Sequence, residues 1–275
     1  NDFGTGGGAE VNASRGVVVR DNTFTANVAS LFLSGWGGGL SVNTSDDATI
    51  SGNRFDENAA AFRMTEQLLA YRNAGGGGLY LSTALGVRVL RNAFTRNRAA
   101  WHQPEGTESG YVAHGGGLLA QQTVDDLVVS ENVFRGNVAT TEGRGWGGAF
   151  ALLRQSTELA TLEKNEFVGN VASVTGPGTG GAVFASSQRA VMRGNLFQGN
   201  VASESGTGVG GGAAFAATGS EPAPQQVDLD ANRFLSNRAQ GDGRGTGGGL
   251  SLAGSAGFTL VNSVFAGNAA AAGGG

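Results

Sequence analysis

Six aspartates stand in three close pairs, Asp46 with Asp47, Asp125 with Asp126 and Asp228 with Asp230, and both histidines, His102 and His114, share one segment with Glu105 and Glu108. Paired carboxylates can divide general acid and base work in glycoside or uronide chemistry, and a histidine beside a glutamate can move protons near neutral pH. If the chain is an enzyme, His102, Glu105, Glu108 and His114 are its expected site. Metal chemistry has less support. The two histidines lie twelve positions apart without cysteine, a poor zinc set, and no coil repeats the calcium-binding G-G-x-G-x-D pattern. The glycine-rich "GTGVGGG" precedes a strand pattern, so it lacks the helix N-terminus that would cradle a phosphate. No metal and no cofactor is expected.

Which of these groups meet depends on the elements that carry them, and those elements repeat. Eight F-x-x-N units run along the chain. Their phenylalanines are Phe24, Phe55, Phe94, Phe134, Phe167, Phe197, Phe234 and Phe265; three residues after each come Asn27, Asn58, Asn97, Asn137, Asn170, Asn200, Asn237 and Asn268. An alanine follows two residues after every such Asn. Two residues before the Phe, seven of the eight units carry a second Asn, from Asn22 to Asn232, and the last has Ser263. A glycine run ending at Gly8, Gly39, Gly78, Gly117, Gly148, Gly181, Gly212 or Gly249 opens each unit. Successive phenylalanines are 31, 39, 40, 33, 30, 37 and 31 residues apart, so the basic repeat is about 31 residues with insertions.

Within a unit, apolar residues recur at every second position, which is the period of a strand. Five residues before each Phe stand Val19, Ile50, Val89, Val129, Leu162, Met192, Leu229 and Leu260, while the residue just before varies from Thr49 to Arg88 to Asp228. The glycine run opens another short strand, with apolar first and third residues such as Leu40 and Val42, Leu79 and Leu81, or Ala182 and Phe184. Three strands follow: one after the glycines, one before the Phe, and one around F-x-x-N-x-A. Such a unit cannot bury its apolar side alone, but stacked coils can. The predicted fold is all-β, a right-handed single-stranded parallel β-helix of about eight coils forming one domain over residues 1–275. The phenylalanines then form one internal column and the asparagines form ladders.

Stacking also arranges the carboxylates. Aligned on the Phe, Asp46 with Asp47 and Asp125 with Asp126 share one corner two coils apart, with Leu85 and Gly86 between. Two coil spacings are roughly 10 Å, slightly more than an inverting carboxylate pair spans. Neither pair is expected to have an Arg or His near its corner. Asp228 and Asp230 face outward beside Val191, Arg193, Thr259 and Val261, where a surface salt bridge to Arg193 is expected.

Insertions give a solenoid its individuality. Two consecutive coils carry long ones at the same corner, "AAAFRMTEQLLAYRNA" (59–74) and "RAAWHQPEGTESGYVAH" (98–114), and a shorter Pro-containing loop covers 218–226. The first has the Ala, Leu, Met and Glu content of a short helix. Together the two bring Phe62, Tyr71, Trp101, His102, Tyr111 and His114 to one place, a candidate binding patch of exposed aromatics. The competing expectation is that the loops pack on each other and on the coil edge.

Composition narrows the partners. Glycine makes up 50 of 275 residues without the collagen period, the formal net charge is −4, and there is no cysteine. Such a charge gives no footprint for nucleic acid or anionic lipid, and no apolar run approaches the roughly 20 residues of a bilayer span, so this segment is not expected to enter a membrane. G-G-[AILV] paired with F-x-x-N, as in "GGAVF…NLFQGN" and "GGAFA…NEFVGN", resembles the repeat of the chlamydial polymorphic outer-membrane proteins and related bacterial surface β-helices. The resemblance implies an extracellular or outer-surface passenger of the adhesin or autotransporter kind, with no enzymatic activity. Its partners would be other protein chains, by end-to-end stacking into a fibre or through a surface receptor, or surface glycans. The chain opens and closes at nearly the same phase of the repeat, as expected for a segment of a longer solenoid or a stacking subunit. A polysaccharide lyase or glycoside hydrolase is the alternative.

Overall fold

The computed structural model describes the chain apart from residues 1–2, 33, 64–72, 103–111, 123–124, 154–158, 187–188, 218–225, 242–243, 255–256 and 272–275. The described residues form 39 short strands in five parallel sheets, four of eight strands and one of seven, with every strand paired to its equivalent in the next coil. This makes seven turns of five strands and an eighth of four. The third coil shows the plan: Asn73–Gly75, Leu79–Ser82, Arg88–Leu90, Ala93–Thr95 and Arg98–His102 belong in turn to the first, second, third, fourth and fifth sheets.

Five strands per coil replace the expected three, and backbone sterics explain the difference. The residue before each ladder Asn has a positive φ, as at Arg91 (52°), Arg96 (52°) and Lys164 (51°). A left-handed residue turns the chain within one step, so F-x-x-N-x-A is cut into separate fourth-sheet and fifth-sheet strands. A further short strand precedes each glycine run.

The two Asn positions stabilise those turns. At the centre of the rod, Asn137 Oδ1 accepts from the backbone N and the Nδ2 of Asn97 (both 3.0 Å), while its own Nδ2 donates to Asn170 Oδ1 (3.0 Å) and to the Phe94 carbonyl (2.9 Å). All the hydrogen-bonding capacity of a fully buried amide is thereby used, which removes the usual cost of burying it. The second ladder repeats this, as where Asn132 Nδ2 donates to Asn165 Oδ1 and to the Val89 carbonyl. In the last coil, Ser263 Oγ accepts the backbone N–H of Asn232 at 3.1 Å, so the odd residue still serves the turn.

The phenylalanines pile as expected. Neighbouring rings from Phe24 to Phe265 lie 4.5 to 5.0 Å apart between centroids and within 11° of parallel. Their separation is the interstrand spacing, imposed by the ladder hydrogen bonds. Around them, Ile50, Val89, Val129 and Leu162 line a continuous core with Leu79, Leu118 and Phe150.

One register expectation fails. Phe150 pairs with Val183, so Ala149 and Ala182 occupy the place of Gly117 and Gly212. Counting from the end of the glycine run therefore slips by one residue in two coils. Val183 and Ala185 enter the central core, whereas Phe184 turns to the opposite face, since a one-residue slip reverses every side chain. On that face the second sheet folds against the first, and Tyr80, Leu119, Leu153 and Phe184 make a second apolar cluster with Trp36 and Trp146.

The reversal between first and second sheets is made at Gly115 (φ 58°), where a Cβ would overlap the Leu118 carbonyl. At Gly117 a Cβ would stand 2.9 Å from the Ala149 carbonyl and 3.1 Å from Phe134 Cδ1, a contact two coils already accommodate with alanine. Gly115→Ala is thus expected to cost about 2 kcal/mol and Gly117→Ala about 1 kcal/mol. Thermal unfolding of the two variants checks the order; equal losses would remove the distinction.

Candidate functional site

The two long insertions leave adjacent coils from paired five-residue strands, Ala59–Arg63 and Arg98–His102, with Ala61 opposite Ala100 and Arg63 opposite His102. This register brings Phe62 beside Trp101, their centroids 5.6 Å apart and their planes tilted by 39°. Both remain accessible, at 44 % and 37 % exposure. The Arg98 guanidinium lies 4.2 Å from the centre of the Trp101 ring, a cation–π contact, and its partial burial lowers the Arg98 pKa from the usual arginine value. These side chains border a cleft of about 250 Å³ whose far side is Val28, Glu57 and Arg96. In that wall Arg96 pairs with Glu57 at 2.9 Å and with the buried Asp56 at 3.0 Å.

Part of the expected patch is here and part is not. Tyr71 and Tyr111, with Glu105 and Glu108, lie outside the described residues, and of His102 only the strand position is described. The short helix expected in 59–74 is replaced at its described ends by strand, residues 59–63 and 73–75, and its middle also lies outside the described residues. So does most of the 218–226 loop.

His114 is placed elsewhere, which corrects its assignment to the exposed patch. It ends the strand Val112–His114 of the first sheet, is 5 % exposed, and packs against Trp146 with centroids 4.9 Å apart. Its Nδ1 is buried without a hydrogen-bond partner, and desolvation lowers its pKa to about 3. A histidine held neutral and out of solvent cannot serve as the proposed acid or base. A signal was present in the sequence: Trp36, His114 and Trp146 each directly precede a glycine run, so they form one column.

The carboxylate pairs split by role. Asp46 Oδ1 accepts the Leu85 backbone N–H at 3.0 Å and Asp125 is buried, so the first member of each pair belongs to the corner. The second members, Asp47 and Asp126, face an open groove of about 430 Å³ on the outer side of the third sheet, with Gly86 between them and Thr49, Arg88 and Thr161 along its length. Arginines are therefore at this corner, contrary to expectation. Arg15, from the preceding coil, pairs with Asp47 at 3.0 Å, and Arg88 lies two residues beyond Gly86 on the intervening coil. Arg15 stands nine residues before Phe24 as Asp46 stands nine before Phe55, so the alignment itself places it at this corner, where it bridges Asp46, while Arg88 lies two residues outside it. The third pair is not joined to Arg193, which reaches Glu163 at 3.4 Å; Asp228 accepts from Gln226 and Asp230 from Asn262. The like-signed pair simply finds neutral amides closer. Among the described residues, no three His, Asp or Glu side chains gather as a metal site.

No curated protein matches the chain. Among solved structures, the periplasmic alginate epimerase AlgG is 11 % identical, aligning 86 % of this chain with 78 % of its own at a TM-score of 0.29. A hyper-glycosylated TibA fragment is 11 % identical, aligning 93 % of this chain with all of its own at a TM-score of 0.11. Both likenesses are too slight to bear on a site. The family model for the right-handed β-helix region, in contrast, matches residues 1–274. With its parallel sheets, stacked rings and asparagine ladders spanning the same length, the chain belongs to the right-handed β-helix family.

Proposed function

We propose that the protein is a binding β-helix of the bacterial outer surface or extracellular space, a rigid rod that presents a recognition cleft at its insertion corner. The observation that carries this reading is the accessible Phe62 and Trp101 pair, backed by Arg98 and set on consecutive coils in register. Aromatic anchors beside paired polar side chains are the common composition of recognition surfaces. The likeness of the G-G-[AILV] and F-x-x-N repeats to chlamydial polymorphic outer-membrane proteins supports the surface location. The partner class is a surface receptor or a surface glycan.

The test is solid-phase binding of purified protein to a glycan array and to a panel of extracellular-matrix proteins. A Phe62→Ala, Trp101→Ala double variant is expected to lose at least tenfold in affinity, about 1.4 kcal/mol, for whatever target the wild type selects, with an unchanged melting temperature. Binding that survives the double variant, or no binding by the wild type, would overturn the reading. Catalysis is the competing view, and incubation with polyuronides and neutral glycans addresses it. Release of new reducing or unsaturated ends would replace binding by turnover.

A further inference from the structure

The insertion-corner cleft restricts its own occupant through charge and spacing. One column of the fifth sheet runs through it, Val28, Ala59 and Arg98 on three successive coils, held in register by the parallel ladder. Ala59 is the smallest of the three, so the surface dips there between an aliphatic side chain and a guanidinium. Phe62 and Trp101 stand along one side of the dip, with Glu57 and Arg96 across from them. On the coil before, the exposed Leu31 follows the paired Ser30 as Phe62 follows Ala61, which carries the apolar row one coil further.

Charge in the cleft is unbalanced. Arg54 and Arg96 both pair with Asp56, and Arg96 pairs with Glu57 as well, so two cations meet two anions. Arg98 adds a third cation, and among the described residues its side chain has neither an ion pair nor a hydrogen bond. These five groups therefore leave one positive charge over, on a chain whose formal net charge is −4. The Arg98 guanidinium lies over the Trp101 ring, and contact through that face leaves its in-plane N–H donors uncovered. Being half-buried, it attracts an anion more strongly than a cation in open water does, because less solvent screens it.

Register sets how far that anion must stand from an apolar group. Ala59 and Arg98 are one coil apart, about 4.8 Å. At the end of a peptide chain, the centre of an apolar side chain and the α-carboxylate of the same residue are about 5 Å apart, since few bonds separate them. An acidic side chain inside a peptide fits less well. Its immediate neighbour points to the opposite face of an extended segment, and the next residue on its own face is about 7 Å away. A neutral glycan would leave the guanidinium without a counter-ion. The cleft, at about 250 Å³, suits one terminal residue better than a long segment. We propose that it is a docking site for the C-terminal residue of a partner protein, whose apolar side chain settles over Ala59 between Val28 and Phe62 while its α-carboxylate accepts a forked pair of hydrogen bonds from Arg98. This rests on the reading of the cleft as a recognition site, and of the two partner classes named for it selects a protein.

Calorimetric titration of the full chain with four N-acetylated pentapeptides tests the assignment. They are Gly-Ser-Gly-Ser-Phe with a free carboxylate, the same peptide as its C-terminal amide, Gly-Ser-Gly-Ser-Gly with a free carboxylate, and Gly-Phe-Ser-Asp-Gly as its amide. The acid ending in Phe is expected to bind saturably and at least tenfold more tightly than each of the others, an advantage that shrinks as salt is added. Arg98→Gln should abolish the preference for acid over amide, and Arg98→Lys, which keeps the charge but not the fork, should retain part of it. Circular dichroism checks that both variants are folded, and the comparison of acid with amide on the wild type needs no variant. No binding of the acid ending in Phe, equal affinity for acid and amide, equal or tighter binding of the peptide with the internal Asp, or a preference that survives in folded Arg98→Gln would each overturn the proposal. Failure of the recognition reading is distinguishable from these, since it is read from the Phe62→Ala, Trp101→Ala double variant. A target lost by that double variant but kept by folded Arg98→Gln would leave the cleft a binding site and remove only its C-terminal occupant.

Discussion

Replacing Asn137 with leucine is expected to be among the most destabilising single changes in the protein. Leucine has the same number of side-chain heavy atoms with the same branching and is apolar, so a rule based on burial alone would call the exchange mild. The ladder predicts otherwise. Without the amide, the Asn97 backbone N–H and Nδ2 lose their acceptor, the Phe94 carbonyl loses a donor, and Asn170 Oδ1 keeps one of its two donors. Asn97 and Asn170 are fully buried, so water cannot substitute. At about 1–3 kcal/mol for each group left unpaired, the loss is about 5 kcal/mol, a large share of the roughly 5–15 kcal/mol that holds an ordinary domain. Position in the rod should matter as much as residue type. Asn27, in the first coil, makes one side-chain bond, donating to Asn58 Oδ1 at 2.9 Å, and is half-buried, so Asn27→Leu should cost about 1 kcal/mol. Urea midpoints followed by circular dichroism compare the two. Similar losses at both positions would mean that the asparagines act singly and not as a ladder.

Acidification provides the second large effect, through His114. Its pKa is about 3 in the folded chain against an ordinary 6.5, because burial beside Trp146 disfavours the imidazolium. Between those values the unfolded chain binds a proton that the folded chain does not, so stability is fully present above pH 6.5 and declines as the pH falls towards 3. The full difference would amount to about 5 kcal/mol at the acid end, an upper bound because local opening can admit water. His114→Phe removes the proton site and the unpartnered Nδ1 while keeping a ring against Trp146. The variant should be about 1 kcal/mol more stable at pH 7 and should lose less on acidification. Carboxylates titrate in the same range, but both proteins share them, so the difference between their profiles isolates the histidine. Parallel stability curves from pH 7 to pH 4 would contradict a buried, neutral His114.

These effects differ in how far they could be anticipated. The ladder partners of Asn137 were readable from spacing alone, because identical residues at the same phase of a stacked repeat must become neighbours. His114 does not lie in the exposed patch its chain neighbours suggest, since those neighbours are loop-like and its neighbours in space come from a fold-back between two sheets. The aromatic cleft was half legible: consecutive insertions had to emerge together, but the pairing of Ala61 with Ala100 decided that Phe62 and Trp101 would be the ones to touch.

Periodicity determined the coil, the phenylalanine column, the two asparagine ladders and the shared corner of Asp47 and Asp126, because stacking converts a one-dimensional repeat into vertical contacts. The backbone then decided what periodicity could not. Left-handed residues at Arg96 and its equivalents split F-x-x-N-x-A into two strands, a further strand before each glycine run completes the five, alanines at 149 and 182 shifted the register of Phe184, and the reversal at Gly115 gave the rod a second core. Lateral neighbours complete that division. Arg88 faces the groove two residues along the strand from Gly86 through side-chain direction, which a repeat length does not encode.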